Sequence, residues 1–293
     1  MSLFRTILVA ADFSESSREA LRVACCLTHD DRTRLIVLHV LEDGPDDVRD
    51  RLRAAYVPDR PLDVAYDIAH GDAAKTILAV ALETGCELIV LGTHGRTGWS
   101  RVLAGSVAES VLRQAHCPVL AVRTSGVRRG QPMPETGAAV RTIVHPTDLT
   151  ERSRVILPVA RALARDCGAR LLLLHVVPTI DLLHFEGPAP IQEPAACETE
   201  LQDLRERLEG PDLRYPVEIQ LRLGDPAAEI LRAIEERACD LVLLGTHGRC
   251  GLTRLLLGSV AEEVLRRATC PVLIFKTPTP IALAAAREVA SLG

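Results

Sequence analysis

Two glycine-rich segments of this 293-residue chain carry the residue types that an anion-binding turn requires. Each has a glycine, two further residues, a second glycine, nine residues and then Gly-Ser. The first segment comprises Gly92, Gly95, Gly105 and Ser106, and the second comprises Gly245, Gly248, Gly258 and Ser259. Glycine lets the backbone approach a ligand closely, and the N–H groups of a helix start can bind a phosphate together with a serine hydroxyl. The spacing predicts two phosphate-binding turns, although either set of glycines alone is also typical of ordinary turns.

The similarity between the two halves extends well beyond these glycines. Asp12 and Asp148 are 136 residues apart, as are His39 and His175, whereas the glycine segments are 153 residues apart. Self-similarity at a fixed offset indicates a duplicated domain. The second copy therefore has 17 extra residues. We place them in the proline-rich stretch Pro178 to Pro194 and expect that stretch to be a loop.

Each half alternates short apolar runs with amphipathic stretches, which is typical of a parallel sheet flanked by helices. Runs such as Leu171 to Leu174 are apolar on both faces, as strands covered by helices on each side should be. In the first half we expect strands over Thr6–Ala10, Leu35–Val40, Leu62–Ile68, Leu88–Gly92 and Val119–Val122, and helices near Ser16–His29, Asp46–Tyr56, Ala73–Thr84 and Ser106–His116.

The predicted fold class is α/β, with two tandem doubly wound, Rossmann-like domains. Each is expected to be a five-stranded parallel sheet flanked by helices. The expected boundaries are 1–123 for the first domain, 124–140 for a linker, 141–277 for the second domain and 278–293 for a C-terminal tail or helix.

The aspartates and the glycine segments fall where a doubly wound sheet binds its ligand. Such sheets bind at the carboxyl ends of the strands, where the winding reverses. Asp12 and Asp148 come just after the first strand of each half, and the glycine segments follow the fourth. An aspartate there can accept hydrogen bonds from ribose hydroxyls, but it can equally cap the first helix. Taken together, the repeated motifs outline a nucleotide-shaped slot in each half.

Composition argues against several classes of partner. The net charge of −5, the pI near 6.0 and an aromatic content of 3% argue against nucleic-acid binding. No apolar run reaches the roughly 18 residues that span a bilayer, and the amino terminus lacks the features of a signal peptide. We therefore expect a cytoplasmic protein with no membrane partner.

Nine cysteines are present, but they form no CxxC motif. Most lie in apolar segments, where cysteine packs as a small hydrophobe, and Cys250 in the second glycine segment is the exception. His94 and His247 are interpreted as hydrogen-bonding turn residues, because no second metal ligand lies near either in the sequence. We therefore assign no metal ligands.

The paired motif resembles that of the universal stress protein family. The ATP-binding branch of that family has the same glycine spacing, followed by Ser or Thr, and both halves of this chain match it. The resemblance implies an adenine nucleotide, ATP or else ADP or AMP, with or without Mg²⁺. The residues it assigns to the first slot are Asp12, Val40, Gly92, Gly95, Gly105, Ser106 and Val107. Those it assigns to the second are Pro146, Asp148, Val176, Gly245, Gly248, Gly258, Ser259 and Val260. Arg96 and Arg249 are added because they recur at the same place in the two glycine segments.

The resemblance also implies a role for each group of residues. The aspartates would lie near the ribose, Val40 and Val176 would offer backbone groups to adenine, and the Gly-Ser-Val residues would surround the phosphates. Independently of the resemblance, the guanidinium groups of Arg96 and Arg249 would contact phosphate or else face solvent. Pro146 matches a proline that is frequent in the family, whereas the first half has Ala10, so we expect its adenosine pocket to be looser.

The function that follows is an ATP-binding stress-response regulatory protein, whose nucleotide-bound conformation is read by an unknown protein partner. One alternative is a scaffold or hydrophobic-ligand carrier with vestigial nucleotide sites. Another is a weak ATPase or an autophosphorylating protein, with slow hydrolysis at most, because the chain has no Walker loop and no catalytic residues that we can assign. Family members pair through their fifth strands, so Val119–Val122 and Val272–Phe275 are expected to form an internal pseudo-dimer about a pseudo-twofold axis. The whole chain could also form a homodimer.

Overall fold

The computed structural model of the protein describes residues 3–28, 32–42, 48–59, 61–93, 106–123, 140–179, 193–245 and 257–276. The first half contains β1 (Thr6–Ala10), α1 (Glu15–Cys26), β2 (Arg34–Leu41), α2 (Arg49–Ala55), β3 (Asp63–His70), α3 (Ala73–Glu83), β4 (Leu88–Gly92), α4 (Ser106–Gln114) and β5 (Val119–Val122). The second contains β6 (Thr142–Pro146), α5 (Glu151–Arg154), α6 (Leu157–Cys167), β7 (Arg170–Val177), α7 (Pro194–Leu208), β8 (Glu218–Leu223), α8 (Pro226–Glu236), β9 (Leu241–Gly245), α9 (Ser259–Arg267) and β10 (Val272–Phe275). The predicted linker residues 124–139 and the C-terminal segment 278–293 lie outside the described residues.

These ten strands form one sheet in the order β3-β2-β1-β4-β5-β10-β9-β6-β7-β8. Within each half the strands are parallel, and the chain winds outward from the first strand in both directions. The winding therefore reverses between β1 and β4, and in the second half between β6 and β9. This confirms the predicted pair of five-stranded doubly wound units. The two units join through β5 and β10, which pair antiparallel as expected.

Helices cover both faces of the sheet. One buried cluster joins the sheet to α1, α2, α6 and α7, and a second joins it to α3, α4, α8 and α9. Leu171 and Leu172 are neighbours on β7 but belong to different clusters, and each is at most 2% exposed. Successive side chains of a strand point to opposite faces. The continuous apolar runs of the sequence therefore reflect burial on both sides of the sheet.

Two basic side chains form hydrogen bonds across the junction between the units. Arg123 donates to the carbonyl of Arg266 at the end of α9, and Lys276 Nζ donates to the carbonyl of Ala115 just beyond α4, at 3.1 Å. Arg123 and Lys276 are 153 residues apart, so they are equivalent residues of the two copies. Each reaches into the other unit, where the last carbonyls of a helix lack intrahelical partners and favour positive charge.

Aspartates begin the equivalent helices α3 and α8. Asp72 Oδ1 accepts a hydrogen bond from the backbone N–H of Lys75 at 2.9 Å, and Asp225 Oδ1 accepts one from Ala228 at 2.8 Å. Asp72 and Asp225 are N-caps, with extended backbone before each helix. Their recurrence at the same spacing is thus explained by helix initiation.

The first helix of the second unit is divided where the first unit has one helix. Pro158 lies in the first turn of α6, four residues after Arg154, where α5 ends. A proline ring clashes with the carbonyl four residues earlier and provides no N–H. The helix that runs unbroken as α1 is therefore split into α5 and α6.

Only the ends of the predicted inserted loop, Pro178 to Pro194, are described: residues 178, 179 and 193 are neither helix nor strand, and Pro194 begins α7. Helix α7 has 15 residues whereas α2 has 7, and the two helices end at residues 153 apart, Leu208 and Ala55. The additional residues of α7 lie at its start, from Pro194 to Leu201, and only Pro194 belongs to the predicted insertion. Leu201 and Leu204 bury its inner face, which a loop would leave open. Residues 180–192 lie outside the part of the chain that the structure describes.

Candidate functional site

A cavity of about 220 Å³ opens at the carboxyl ends of β1, β2 and β4, where the winding of the first unit reverses. Five of the residues predicted for the first slot line it: Asp12, Val40, Gly92, Ser106 and Val107. The remaining lining residues are Ala10, Ala11, Ser17, Leu38, His39, Ala73, Ile77, Leu91, Thr93 and Ala108. The structure thus brings together predicted residues from four separate segments of the chain. The lining is mostly apolar with a few polar groups, as is usual for small-molecule sites.

Asp12 belongs to a tight turn between β1 and α1. Its Oδ1 accepts hydrogen bonds from the backbone N–H of Ser14 at 2.9 Å and from the Ser14 hydroxyl at 2.5 Å. Ser14, rather than Asp12, is the N-cap of α1, and its Oγ accepts from Ser17 N. Phe13 between them has φ of 63°, in the left-handed region that a bulky residue rarely adopts. Both bonds to Ser14 use the same carboxylate oxygen, Oδ1.

The same turn recurs after β6. Asp148 Oδ1 accepts from the backbone N–H of Thr150 at 3.1 Å and from its hydroxyl at 2.7 Å, and Thr150 is the N-cap of α5. Leu149 also has φ of 63°. A strained backbone conformation costs of order 1–3 kcal/mol and clusters at functional sites. Two independent copies therefore retain an unfavourable conformation beside the aspartate.

Two histidines without a predicted role hold these turns from the neighbouring strand. His39 Nδ1 lies 2.6 Å from the carbonyl oxygen of Ala11, and His175 Nδ1 lies 2.7 Å from that of Thr147. Because a carbonyl can only accept, the proton must be on Nδ1 in both rings. The shared offset of 136 residues was the only sequence signal for this contact.

Val40 and Val176 end up in different surroundings. Val40 is half-buried and lines the cavity, whereas Val176 is only 7% exposed. Their neighbours differ in the same way, since His39 is half-buried and His175 is 2% exposed. The end of β7 is therefore more covered than the end of β2.

Gly92 is required by helix packing, independently of any ligand. A Cβ at this position would lie 2.5 Å from Ser16 Oγ and 2.8 Å from the backbone carbon of Ser16 on α1. At the equivalent Gly245 the nearest atom would be Ile156 Cδ1, at 3.2 Å. The first glycine thus lets α1 approach β4 closely, a reason that the sequence motif did not reveal.

The serines of the glycine segments begin helices. Ser106 is the first residue of α4 and Ser259 the first of α9, and both are exposed. Gly258 is the N-cap of α9 with extended backbone, and it makes no side-chain capping bond to the first turn. The N–H groups of such a helix start, next to Val260, can bind an anion. Gly95, Arg96, Gly105, Gly248 and Arg249 lie outside the described residues.

Pro146 changes the sheet beside the second slot. In the first unit Ala10 pairs with Leu91, but the ladder between β6 and β9 ends at Val144. Proline has no N–H to donate to β9. His145, fully buried, places Nδ1 3.1 Å from the carbonyl oxygen of Leu243 instead. The equivalent residue in the first unit is Val9, so the histidine compensates for the proline.

Neither a metal centre nor a membrane span is found in the described ranges of the chain. No group of three or more His, Cys, Asp or Glu side chains there is arranged to hold a metal ion. None of the helices in the same ranges has both the length and the apolar character needed to cross a bilayer.

Comparison with known proteins places both units in one family. The model of the universal stress protein family matches residues 3–123 and 139–276. The chain belongs to the universal stress protein family. A universal stress protein of Mycobacterium bovis is 31% identical over 221 residues, which cover 74% of this chain and 70% of that protein.

Other universal stress proteins match most of the chain or about half of it. One from Methanocaldococcus jannaschii is 33% identical over 144 residues, covering 47% of this chain and 83% of that protein. The crystal structure of one from Archaeoglobus fulgidus matches with a TM-score of 0.66 at 20% identity, covering 93% of this chain and 98% of that one. The match to the Archaeoglobus fulgidus structure shows a shared fold. The ten-stranded architecture described above is therefore shared by another universal stress protein.

Proposed function

We propose that this universal stress protein is a regulatory protein that binds an adenine nucleotide, ATP in the first instance, in a slot on each unit. The observation that carries the proposal is the cavity at the winding reversal of the first unit. It joins an aspartate, the end of β2, a close-packed glycine and a helix start, all four of which the motif assigned to a nucleotide.

The chemistry of the lining suits a nucleoside. Leu38, Ile77 and Leu91 supply apolar surface for a base, and Asp12 Oδ2 supplies an acceptor for ribose hydroxyls. The volume of about 220 Å³ is below the roughly 300–1,000 Å³ of typical ligand pockets. The cavity therefore suits the nucleoside, with the phosphates placed outside it, toward the start of α4.

The phosphates are assigned to the helix starts. The first turns of α4 and α9 offer N–H groups, the positive end of the helix dipole and the hydroxyls of Ser106 and Ser259. Arg96 and Arg249 are proposed as further phosphate contacts on the basis of the motif. A magnesium ion, if bound, would be held largely by phosphate oxygens and water, in keeping with its usual coordination.

The regulatory role follows from the ligand site and the family. Nucleotide bound to the turns after β1 and β4 would favour one conformation of the glycine segments, which a protein partner could read. The cytoplasmic location, the protein partner and a homodimer of the whole chain remain predictions from the sequence.

Thermal denaturation with and without ATP tests the proposal. A ligand that binds only the folded state adds about 2.7 kcal/mol at a hundredfold excess over its dissociation constant, so the melting temperature should rise. Asp12→Ala should reduce the rise, whereas Asp63→Ala, which removes an exposed carboxylate at the start of β3, should leave it unchanged.

Two results would contradict the proposal. The first is the absence of any shift with ATP or ADP in protein that carries no nucleotide after purification. The second is the identification by mass spectrometry of a retained hydrophobic compound in place of nucleotide, which would support the carrier function.

A further inference from the structure

Tyr56 contacts the Asp12 turn from a distant part of the chain. It follows the last residue of α2, and its side chain is buried in the core with 1% exposure. Its hydroxyl oxygen lies 2.7 Å from the backbone nitrogen of Phe13 and 2.5 Å from Ser17 Oγ. Ser17 lines the cavity. One buried hydroxyl thus contacts both sides of the turn that carries Asp12.

Hydrogen bonds around the turn connect Tyr56 to Ser14. Ser17 Oγ donates to the carbonyl of Ser14 at 3.1 Å, and in that arrangement the Tyr56 hydroxyl donates to Ser17. The same hydroxyl accepts from the N–H of Phe13. Ser14 in turn donates to Asp12 Oδ1. Tyr56 is therefore linked to the Asp12 carboxylate through Ser17 and Ser14, whose carbonyl accepts from Ser17 and whose hydroxyl donates to Asp12.

Tyr56 is itself held firmly. Its backbone N–H donates to Leu52 at 3.0 Å, and its carbonyl accepts from the hydroxyl of Tyr66 on β3 at 2.7 Å. Burial raises the pKa of Tyr56 above its ordinary value of 10.0, so the hydroxyl keeps its proton at neutral pH. The hydroxyl of Tyr56 therefore has a fixed position beside the turn and keeps its proton.

The strained residue of the turn depends on this contact. Phe13 has φ of 63°, and its N–H is oriented toward Tyr56. Its ring packs edge-on against His39, with 4.7 Å between the ring centroids, and the Arg51 guanidinium lies 4.2 Å from its centroid. These contacts offset a conformation that is unfavourable for a residue with a side chain.

The second unit holds its turn by a different contact. Leu149 has the same φ, but its N–H donates to Thr147 Oγ1 at 3.1 Å, two residues away. The residue equivalent to Tyr56 is Glu209, and the residue equivalent to Thr147 is Ala11. Each unit therefore has one hydroxyl for this N–H, supplied locally in the second and from α2 in the first.

We propose that Tyr56 is a positioning residue of the first nucleotide slot, where its hydroxyl fixes Phe13 and Ser17 so that the Asp12 carboxylate is presented to the ribose hydroxyls. This inference rests on the proposed function. Tyr56 does not contact the nucleotide and acts only through the turn.

The test compares two nucleotides in a Tyr56→Phe variant. The ring and its packing remain, and only the hydroxyl is lost. Calorimetric titration of full-length protein carrying Asp148→Ala, which disables the second slot, measures the first slot alone. The ligands are ATP and 2′,3′-dideoxy-ATP, which lacks the hydroxyls assigned to Asp12. Tyr215→Phe, on the loop before β8, is the matched control.

Tyr56→Phe should weaken ATP binding by about fivefold to tenfold, the equivalent of one hydrogen bond, and dideoxy-ATP binding by less than about twofold. Tyr215→Phe should change neither. Equal weakening of both ligands would show general loosening and would overturn the positioning role, as would unchanged ATP binding. If unsubstituted protein binds neither ligand, the proposed function itself fails. Should Tyr56→Phe not fold, Ser17→Ala removes the Tyr56–Ser17 hydrogen bond and keeps the Phe13 contact, and it should likewise weaken ATP binding more than dideoxy-ATP binding.

Discussion

Leu120 and Leu273 lie directly opposite each other in the antiparallel ladder between β5 and β10, and they are equivalent residues of the two copies. On either side, Ala121 pairs with Val272 and Val119 pairs with Ile274. Exchanging the two units maps each of these pairs onto the other. The pseudo-twofold axis therefore passes between the two leucines, and it relates Arg123 to Lys276 as well.

Truncating either central leucine should destabilise the whole chain. Both are fully buried, so Leu120→Ala and Leu273→Ala should each cost about 2–5 kcal/mol in the free energy of unfolding. Because the axis passes between them, the two costs should be similar. Chemical denaturation measures both, with Leu82→Ala, 66% exposed on α3, as the control that should change little. A large cost for one leucine alone would contradict the symmetric junction.

The strand pattern was predictable because it reflects burial. The predicted bounds of β1, β4 and β5 coincide with those of the structure, since continuous apolar runs there end at polar or turn residues. The pairing of β5 with β10 followed from the duplication. The helix ends were less predictable. Helix α1 ends at Cys26, before its predicted end at His29. Just beyond the helix, the Thr28 hydroxyl donates to the carbonyl of Cys25 at 2.7 Å.

The site was predictable where it depended on residue type and spacing. Asp12, Gly92 and Ser106 line one cavity, as the topology rule implied, and Val40, which the family resemblance assigned, lines it too. Contacts that join distant segments were not predictable. The bond between Phe13 and Tyr56 spans 43 residues, and nothing in the local sequence indicates it.

Alanine at the two strand-end glycines should have unequal effects. A Cβ at Gly92 would meet the backbone of α1, so Gly92→Ala should cost about 1–3 kcal/mol as the helix is displaced. At Gly245 the obstacle is the Ile156 side chain, which can rotate, so Gly245→Ala should cost less than about 1 kcal/mol. Urea denaturation of the two variants compares them. Equal costs would show that close packing of α1 does not explain Gly92.

His145 should make stability depend on pH in mildly acidic solution. Burial lowers its pKa below the ordinary value of 6.5, so the folded state keeps the ring neutral while the unfolded chain takes up a proton. The neutral ring makes its full contribution to the free energy of unfolding above pH 6.5. This contribution is lost as pH falls toward the folded-state pKa. At neutral pH, His145→Val should be less stable than the unsubstituted protein, because the Leu243 carbonyl loses its partner.

The difference in the free energy of unfolding between the unsubstituted protein and His145→Val should narrow as pH falls from 7.5 to 5. Urea denaturation at each pH measures this difference. The double variant His145→Val/Pro146→Ala restores the residues of the first unit and a backbone N–H. It should recover the stability lost in the single variant. A difference that does not change with pH would contradict the buried neutral ring.

Lys276 should give a pH dependence in alkaline solution. Burial lowers its pKa from 10.5 to about 8, so the loss of hydration outweighs the attraction of the charge to the helix-end carbonyl of Ala115. Folding then releases a proton between these values, and stability rises as pH increases from 8 toward 10.5. Lys276→Met should remove this rise, whereas Lys75→Met, on the exposed surface of α3, should retain it. If stability depends on pH in the same way in Lys276→Met and Lys75→Met, the alkaline pH dependence does not come from Lys276.

The two slots should bind nucleotide unequally. His39 and Val40 are half-buried and line an open cavity, whereas His175 and Val176 are at most 7% exposed, so the base has easier access to the first slot. Calorimetric titration with ATP should therefore resolve a tighter site in the first unit, with a dissociation constant lower by about tenfold, or 1.4 kcal/mol. Asp12→Ala should remove the tighter site, and Asp148→Ala should leave it. Loss of the tighter site in Asp148→Ala instead would show that the more covered slot is the preferred one, because enclosure of the base then outweighs access.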